Sequence, residues 1–82
     1  MLKTKFACQH DRGERILQAV AETFAEEKLD RSDGLRIDWP QGWVHVRSSN
    51  TEPIMRVFAE AEDKFVAEEL IARITSIAQK VT

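Results

Sequence analysis

The chain has 82 residues, of which 43% are hydrophobic and 32% charged, and its formal net charge is −2 at pH 7. This composition is typical of a globular protein, so we expect residues 1–82 to form a single domain. The charge gives no basic field for binding nucleic acid, and no apolar run approaches the ~20 residues of a membrane span. The single cysteine, Cys8, excludes an internal disulfide and favours a reducing, cytoplasmic location.

The first third of the sequence predicts a strand followed by a helix. Residues 3–8 predict a short strand, and Asp11 with Glu14 resembles a capping box in which Asp replaces Ser or Thr. The apolar residues that follow recur at helical spacing and are Ile16, Leu17, Val20, Ala21 and Phe24. This spacing predicts a helix over residues 12–27. The polar stretch 29–34 ends in Asp-Gly, which is a turn signal.

Three strands are predicted in the middle of the chain. Residues 35–39 alternate apolar and polar side chains, and a Pro-Gln-Gly turn leads back into residues 43–46 as a hairpin. Trp39 and Trp43 flank that turn, and we expect them to close the hairpin by packing. The third strand is predicted from the run of residues 54–59, and the alternation that continues after it places apolar side chains on one side. These side chains are Met55, Val57, Ala59 and Ala61.

The C-terminal segment predicts a second amphipathic helix. Asp63 is suited to cap it, and Glu69 with Arg73 forms an i,i+4 pair on its surface. The apolar stripe consists of Val66, Leu70, Ile71, Ile74, Ile77, Ala78 and Val81. Two one-sided helices and alternating strands predict an α+β fold of order β-α-β-β-β-α, in which an antiparallel sheet carries both helices on one face.

The connection between the second and third of these middle strands is the most polar segment of the chain. It consists of Arg47, Ser48, Ser49, Asn50, Thr51, Glu52 and Pro53. Arg47 can offer a planar fork to two phosphate oxygens, and Ser49 and Thr51 can each donate a hydroxyl hydrogen bond. Asn50 tolerates a left-handed backbone, and successive N–H groups in such a turn form an anion-binding nest. The loop predicts a phosphate site, although the same residues are also typical of an exposed turn.

Other reactive side chains form no convincing site in the sequence. Cys8 and His10 offer only part of the ligand set of a zinc site, and the remaining histidine is His45. A loop serine acting as a nucleophile would need an adjacent base held by a third group, which the sequence does not supply. We therefore predict no catalytic residue and no metal ligand. His45 is expected to pack or to face solvent, with a supporting contact to the loop as an alternative.

The motif Arg-x-Ser-Asn-Thr-Glu-Pro, preceded by residues 33–38 and by Gly-Trp at 42–43, resembles the C-terminal domain of the phosphohexomutases. These are the phosphoglucomutase/phosphomannomutase enzymes, and the specific motifs cover residues 33–63. The resemblance implies a TATA-binding-protein-like fold without DNA binding. It also implies phosphate contacts, which fall on Arg47, Ser49, Asn50 and Thr51.

Two further loop residues are expected to support that site. A carboxylate beside a bound phosphate would repel it, so we expect Glu52 to face away and to pair with Arg56 or to orient Arg47. Pro53 has no N–H group to leave unsatisfied, so we expect it to fix the exit of the loop into the following strand.

The resemblance implies an intramolecular phosphotransferase of carbohydrate metabolism that interconverts hexose 1-phosphate and hexose 6-phosphate through a bisphosphorylated sugar. This chain lacks the family's Ser-His-Asn-Pro, Asp-x-Asp-x-Asp and Gly-Glu-x-Ser-Gly elements. We therefore expect the fragment to be inactive and to hold no cofactor. Mg²⁺ and a hexose 1,6-bisphosphate activator would belong to the full-length enzyme. Its partners would be a hexose phosphate and the preceding catalytic domains of the same polypeptide.

Two interpretations remain open from the sequence. Asn50 favours the phosphoglucomutase/phosphomannomutase branch, because the phosphoglucosamine branch more often resembles Arg-x-Ser-Gly-Thr-Glu-Pro. The alternative is a free-standing, non-catalytic binding or interaction module of the same fold.

Overall fold

A computed structural model of the chain describes residues 1–49 and 51–81. Within these residues the elements follow the order β1 (Leu2–Ala7), α1 (His10–Thr23), β2 (Lys28–Asp30), β3 (Leu35–Trp39), β4 (Gly42–Ser48), β5 (Ile54–Ala61) and α2 (Lys64–Lys80). The strands pair side by side in the order β1-β5-β4-β3-β2, and every pairing is antiparallel. The predicted α+β class is therefore confirmed.

The core lies between one face of the sheet and the two helices. Its side chains are those of the alternating apolar positions in the strands together with the apolar stripes of the helices. The largest fully buried ones are Ile16, Val20, Leu35, Ile37, Val44, Val46, Met55, Val57 and Ile74. Period-two alternation sends the remaining strand residues to the opposite side. We call that side the open face; it carries Arg36, Trp43, His45, Arg47, Arg56 and Phe58.

The short edge strand β2 was not predicted. Residues 28–30 pair with β3, with Lys28 opposite Asp38 and Asp30 opposite Arg36. Only Leu29 of the three packs partly against the core. Backbone hydrogen bonds to β3 hold this edge strand in place. A strand of three residues is also too short to show an alternating apolar pattern, so no signal for it is visible in the sequence.

Helix α1 begins and ends earlier than the sequence indicated. Its N-cap is Gln9, which makes no side-chain capping bond, so the prediction that Asp11 caps the helix was wrong. The backbone explains the early start, because the Cys8 N–H donates to the carbonyl of Pro53 at 2.7 Å and the chain turns directly after β1. At the other end the helix stops at Thr23, because Phe24 turns inward and packs edge-on against Trp39, with ring centroids 5.5 Å apart.

Helix α2 agrees with the sequence prediction. The Asp63 carboxylate accepts a hydrogen bond from the Phe65 N–H at 2.7 Å, which confirms the N-cap. The predicted surface pair is also present, with Arg73 Nη2 3.2 Å from Glu69 Oε1. The buried positions of this helix are Ala67, Leu70, Ile74 and Ala78.

The two tryptophans beside the hairpin turn both pack, but on different faces of the sheet and not on each other. Trp39 lies opposite Gly42 and Trp43 lies opposite Asp38, which places the two rings on different faces of the sheet. Trp39 joins the helical side, where its indole N–H donates to Glu27 Oε2 at 2.7 Å. Trp43 lies on the open face under the guanidinium of Arg36, 4.5 Å from the ring centroid. Each indole therefore stabilises a different layer.

Candidate phosphate-binding loop

The polar loop lies at one end of the sheet, where β4 passes to β5. Its base continues the ladder, because the Ser49 N–H donates to the Ile54 carbonyl at 3.0 Å. The Ile54 N–H in turn donates to the Glu52 carbonyl at 2.8 Å. The bond from Cys8 to the Pro53 carbonyl fastens the same loop to the end of β1. Backbone bonds on both sides therefore hold the loop against this end of the sheet.

Arg47 stands on the open face, next to the last residue of β4. Its side chain is 47% exposed, and its Nε lies 3.6 Å from Oδ1 of Asp33. An exposed pair of this kind stabilises a protein by only about 0–1 kcal/mol, so it does not commit the guanidinium to an internal role. Arg47 is thus available to a bound anion from the solvent side.

Ser49 organises the backbone of the loop. Its Oγ accepts hydrogen bonds from the N–H groups of Thr51 and Glu52, each at 3.3 Å. A serine hydroxyl has one hydrogen to donate besides its acceptor positions, so Ser49 can still donate to an anion. Because the two bonds are long, an incoming oxyanion can compete for the same N–H groups. The nest predicted from the sequence stays a prediction, with these two donors as its described members.

The remaining predicted site residues are exposed or lie outside the described part of the chain. Thr51, Glu52 and Pro53 are exposed, and Pro53 directly precedes β5, as expected of a residue that fixes the exit. Asn50 lies outside the described residues. Over residues 1–49 and 51–81, Glu52 makes no ion pair, and the carboxylate beside Arg47 is that of Asp33. The expected pairing of Glu52 with an arginine is therefore not seen.

Ser48 has a different neighbourhood from the residues on either side of it. Alternation along β4 turns its side chain toward the helices, where it meets Gly13 of α1. A Cβ atom at position 13 would lie 3.1 Å from the Ser48 Oγ and 3.7 Å from the Met55 Cε. Glycine inside a helix costs about 1 kcal/mol relative to alanine, so its presence here has a packing reason. Gly13 lets α1 lie close beneath the start of the loop.

Arg56 is a candidate that the sequence analysis named only as an expected partner of Glu52, without assigning it to phosphate. The strand register puts Arg56 directly opposite Arg47, with Lys5 of β1 opposite Arg56 on the other side. In the described part of the chain, neither Arg56 nor Lys5 forms an ion pair with a carboxylate. Like charges directly opposite one another are destabilising, and an anion would offset that repulsion. This signal comes from the cross-strand register, so it can be seen only once the pairing of the strands is known.

His45 contacts the β2–β3 turn instead of the loop. Its Nε2 lies 2.7 Å from the backbone carbonyl oxygen of Asp33, so a protonated Nε2 donates a hydrogen bond there. The His45 ring also lies near that of Phe58, with centroids 6.2 Å apart. His45 thereby fixes the backbone of Asp33, the residue whose carboxylate pairs with Arg47.

The structure gives no support to a metal site at Cys8 and His10. Cys8 is buried, and its thiol lies 3.4 Å from the Gln9 carbonyl oxygen. His10 is exposed, 3.8 Å from Glu14 Oε1. Within residues 1–49 and 51–81 no group of three or more His, Cys, Asp and Glu side chains is arranged to hold a metal ion. Neither helix in this part of the chain is long and apolar enough to cross a membrane.

Comparison with known proteins matches residues 4–77 to the family described as phosphoglucomutase/phosphomannomutase, C-terminal domain. A phosphoglucomutase/phosphomannomutase of Thermococcus kodakarensis is 42% identical over 71 residues, which cover 84% of this chain and 15% of the relative. A probable phosphoglucosamine mutase of Methanocella arvoryzae is 41% identical over 56 residues, covering 68% of this chain and 13% of the relative. A phosphomannomutase of Methanocaldococcus jannaschii is 33% identical over 66 residues, which cover 80% of this chain and 15% of the relative.

The chain therefore spans less than a fifth of the length of these relatives. The family match covers most of the chain, including the strands and the loop that build the polar end of the sheet. By this match and by its fold, the chain belongs to the phosphoglucomutase/phosphomannomutase C-terminal domain family.

Proposed function

We propose that this chain is the substrate-phosphate-binding domain of a phosphohexomutase. In the proposed complex Arg47, Ser49, Asn50 and Thr51 bind the phosphate group of a hexose phosphate. The observation that carries the proposal is the concentration of hydrogen-bond donors at one end of the sheet, held there only by a surface ion pair and by long hydrogen bonds. There Arg47 carries a half-exposed guanidinium, and two residues later the Ser49 Oγ accepts hydrogen bonds from the N–H groups of Thr51 and Glu52.

The charge distribution supports an anion at this position. Arg47 and Arg56 lie opposite each other; among the described residues Asp33 forms an ion pair with Arg47, and Arg56 forms none. A phosphate would bring at least one negative charge between two arginines, and bonds to charged groups are about twice as strong as neutral ones. A planar guanidinium also matches two phosphate oxygens at once.

A phosphate-specific loop suits a mutase on physical grounds. In the proposed reaction the intermediate carries phosphate at both ends and presents each end in turn, so the domain must hold either one. The loop offers hydrogen-bond donors to phosphate oxygens, and these donors are indifferent to which sugar carbon bears the group. The proposed whole protein therefore interconverts hexose 1-phosphate and hexose 6-phosphate.

The chemical step is proposed to reside in other parts of the whole protein. Phosphoryl transfer needs its nucleophile, metal and acceptor in one closed site. The residues described here do not fit a magnesium site, because no suitable group of acidic side chains lies together among them. Mg²⁺ and the phosphorylated serine would thus be held by the preceding domains. Purified alone, the 82-residue chain should show no turnover of glucose 1-phosphate with Mg²⁺ and a bisphosphate activator; turnover proportional to its concentration would refute this division of labour.

The test of the proposed site is the substitution of Arg47 in the full-length protein. Arg47→Lys keeps the charge and loses the fork, so kcat/KM should fall by roughly one to two orders of magnitude, at ~1.4 kcal/mol per tenfold. Arg47→Ala should lower it further. Both variants should unfold at the wild-type denaturant concentration, because the side chain is half exposed and pairs only at the surface.

Glu52→Gln serves as the matched control within the same loop. The Glu52 carboxylate makes no ion pair among the described residues, so its loss should lower kcat/KM less than Arg47→Ala does. If Arg47→Ala unfolds the protein, or leaves kcat/KM unchanged, the phosphate-binding role of this loop is refuted.

A further inference from the structure

We propose that the turn between β2 and β3, residues 31–34, is a positioning element for Arg47, an inference that rests on the proposed phosphate site. This turn is distant from the loop in sequence and contributes no predicted phosphate ligand. Three separate contacts connect it to the end of β4. They involve the carboxylate of Asp33, the backbone carbonyl of Asp33 and the backbone of Gly34.

The first contact sets the direction of the guanidinium. Asp33 Oδ1 approaches Nε of Arg47 at 3.6 Å. Arginine can present a fork either through Nε and one terminal nitrogen or through both terminal nitrogens. With Asp33 beside Nε, the pair of terminal nitrogens is the fork left for two oxygens of a phosphate. Asp33 thus selects which edge of Arg47 meets the anion.

The second contact holds Asp33 itself in place. The His45 Nε2 is 2.7 Å from the Asp33 carbonyl oxygen, and the imidazole is backed by Phe58. His45 and Arg47 are alternate residues of β4 on the open face. The same strand therefore carries the arginine and the side chain that anchors its carboxylate partner.

The third contact requires glycine at position 34. Gly34 has φ +67°, the left-handed region that side chains with a Cβ rarely adopt. A Cβ there would lie 2.3 Å from the carbonyl oxygen of Val46 and 3.3 Å from the Cα of Arg47. The turn can approach β4 this closely only because residue 34 has no side chain.

The turn is also stiffened internally. The Asp30 carboxylate accepts hydrogen bonds from the Ser32 N–H at 2.9 Å and from the Ser32 hydroxyl at 2.7 Å. These bonds lie in the part of the turn that comes just before Asp33 and Gly34 in the chain. A preorganised turn can hold Arg47 in one orientation before phosphate arrives, which reduces the ordering cost of binding.

The decisive experiment titrates the 82-residue chain with inorganic phosphate and follows its backbone amides by NMR. Two roles for Asp33, simple repulsion of phosphate and positioning of Arg47, predict opposite changes in phosphate affinity for Asp33→Asn. Removing a negative charge near an anion should tighten binding if Asp33 only repels phosphate. If Asp33 positions Arg47, binding should instead weaken by about two- to five-fold, the range expected for one exposed ion pair. Unchanged or tighter binding overturns the proposal.

A double-mutant cycle separates this inference from the proposed function. In the Arg47→Ala background, Asp33→Asn should no longer weaken binding, because the side chain it positions is gone. An equal weakening in both backgrounds would overturn the positioning role. If Arg47→Ala itself leaves phosphate binding unchanged, the proposed function fails, and the cycle shows this independently.

Gly34→Ala tests the backbone contact, with Gly42→Ala as its matched control. A Cβ at position 42 would lie 2.3 Å from the Glu60 carbonyl oxygen, a clash of the same size at the opposite end of the sheet. Both variants should lose stability, and only Gly34→Ala should weaken phosphate binding in the folded fraction. Equal phosphate affinities of the two folded variants would contradict the proposal.

Discussion

The two ends of the sheet differ in how they use a connection between neighbouring strands. At one end, β3 passes to β4 through a two-residue turn, and the nearby Trp39 packs against Phe24 and bonds Glu27. At the other end, β4 passes to β5 through the longer polar segment 49–53, in which Thr51, Glu52 and Pro53 are exposed and the Ser49 Oγ accepts from the N–H groups of Thr51 and Glu52. Beside the first connection an aromatic side chain packs against the segment that follows α1, whereas the second exposes polar side chains to solvent.

This difference shows how one small sheet separates stability from binding. The tryptophan end, which consists of Trp39, the β3–β4 turn and Trp43, buries aromatic surface. Such burial contributes more to the free energy of folding than exposed polar side chains do. The loop end, residues 47–53, is held by backbone bonds to β5 and β1, so its attachment to the sheet does not depend on the exposed side chains of Arg47, Thr51 and Glu52. We therefore expect substitutions at the first end to change the free energy of unfolding and those at the second to change phosphate affinity.

The largest expected effect on stability is at the tryptophan end. Trp39→Ala removes an edge-on contact with Phe24 and the bond to Glu27, and should lower the free energy of unfolding by about 2–3 kcal/mol, since the ring is only partly buried. Trp39→Phe should lose about 1 kcal/mol. Urea unfolding measures both. A folded Trp39→Ala variant that has lost phosphate affinity would break the proposed separation.

A smaller effect is expected where α1 meets the loop end. Alanine in place of Gly13 should gain about 1 kcal/mol of helix propensity, but its Cβ would meet the Ser48 Oγ at 3.1 Å. Gly13→Ala alone should therefore gain little. Combined with Ser48→Ala, it should be more stable than the sum of the single changes by about 0.5–1 kcal/mol. Additive free energies of unfolding would show that this contact does not constrain the helix.

The smallest expected effect concerns pH. Hydrogen bonds from the Ser32 N–H and hydroxyl lower the pKa of Asp30 below its ordinary value of 3.8. Because the folded pKa is depressed, this contribution is complete above the ordinary value and is lost as pH falls through the folded one. The difference in unfolding free energy between wild type and Asp30→Asn should thus be constant near neutral pH and shrink in acid. A difference that grows in acid would contradict the assigned bonds.

The sequence predicted those parts of the fold that rest on repeated patterns. The alternating runs of β3, β4 and β5 and the stripe of α2 each contain several apolar residues at the right spacing, and all occupy the expected faces. The Asp63 cap was equally local, because it involves residues two positions apart. Strand β2 and the start of α1 escaped prediction because partners elsewhere in the chain determine them, Asp38 in one case and Pro53 in the other.

The candidate site likewise has a part that the sequence predicted and a part that it did not. The loop motif carries its own chemistry in consecutive residues, so Arg47, Ser49 and Thr51 were visible in the sequence. The partners of Arg47 were not visible, because Arg56 reaches it across a strand pair and Asp33 reaches it from a turn 14 positions earlier in the chain. For the same reason the sequence suggested Glu52 as its neighbour, a residue close in sequence that makes no such contact among the described residues.

The central claim is that the loop end of the sheet binds phosphate, and an NMR titration of the 82-residue chain with inorganic phosphate tests it most directly. Binding should be weak, at best millimolar, because one surface loop supplies only part of a site that the whole protein would close. We predict saturable amide shifts centred on residues 47–51, with residues 39–43 at the tryptophan end unaffected. Shifts centred on the tryptophan end or on residues 8–10, or no saturable shifts in the loop, would contradict the claim.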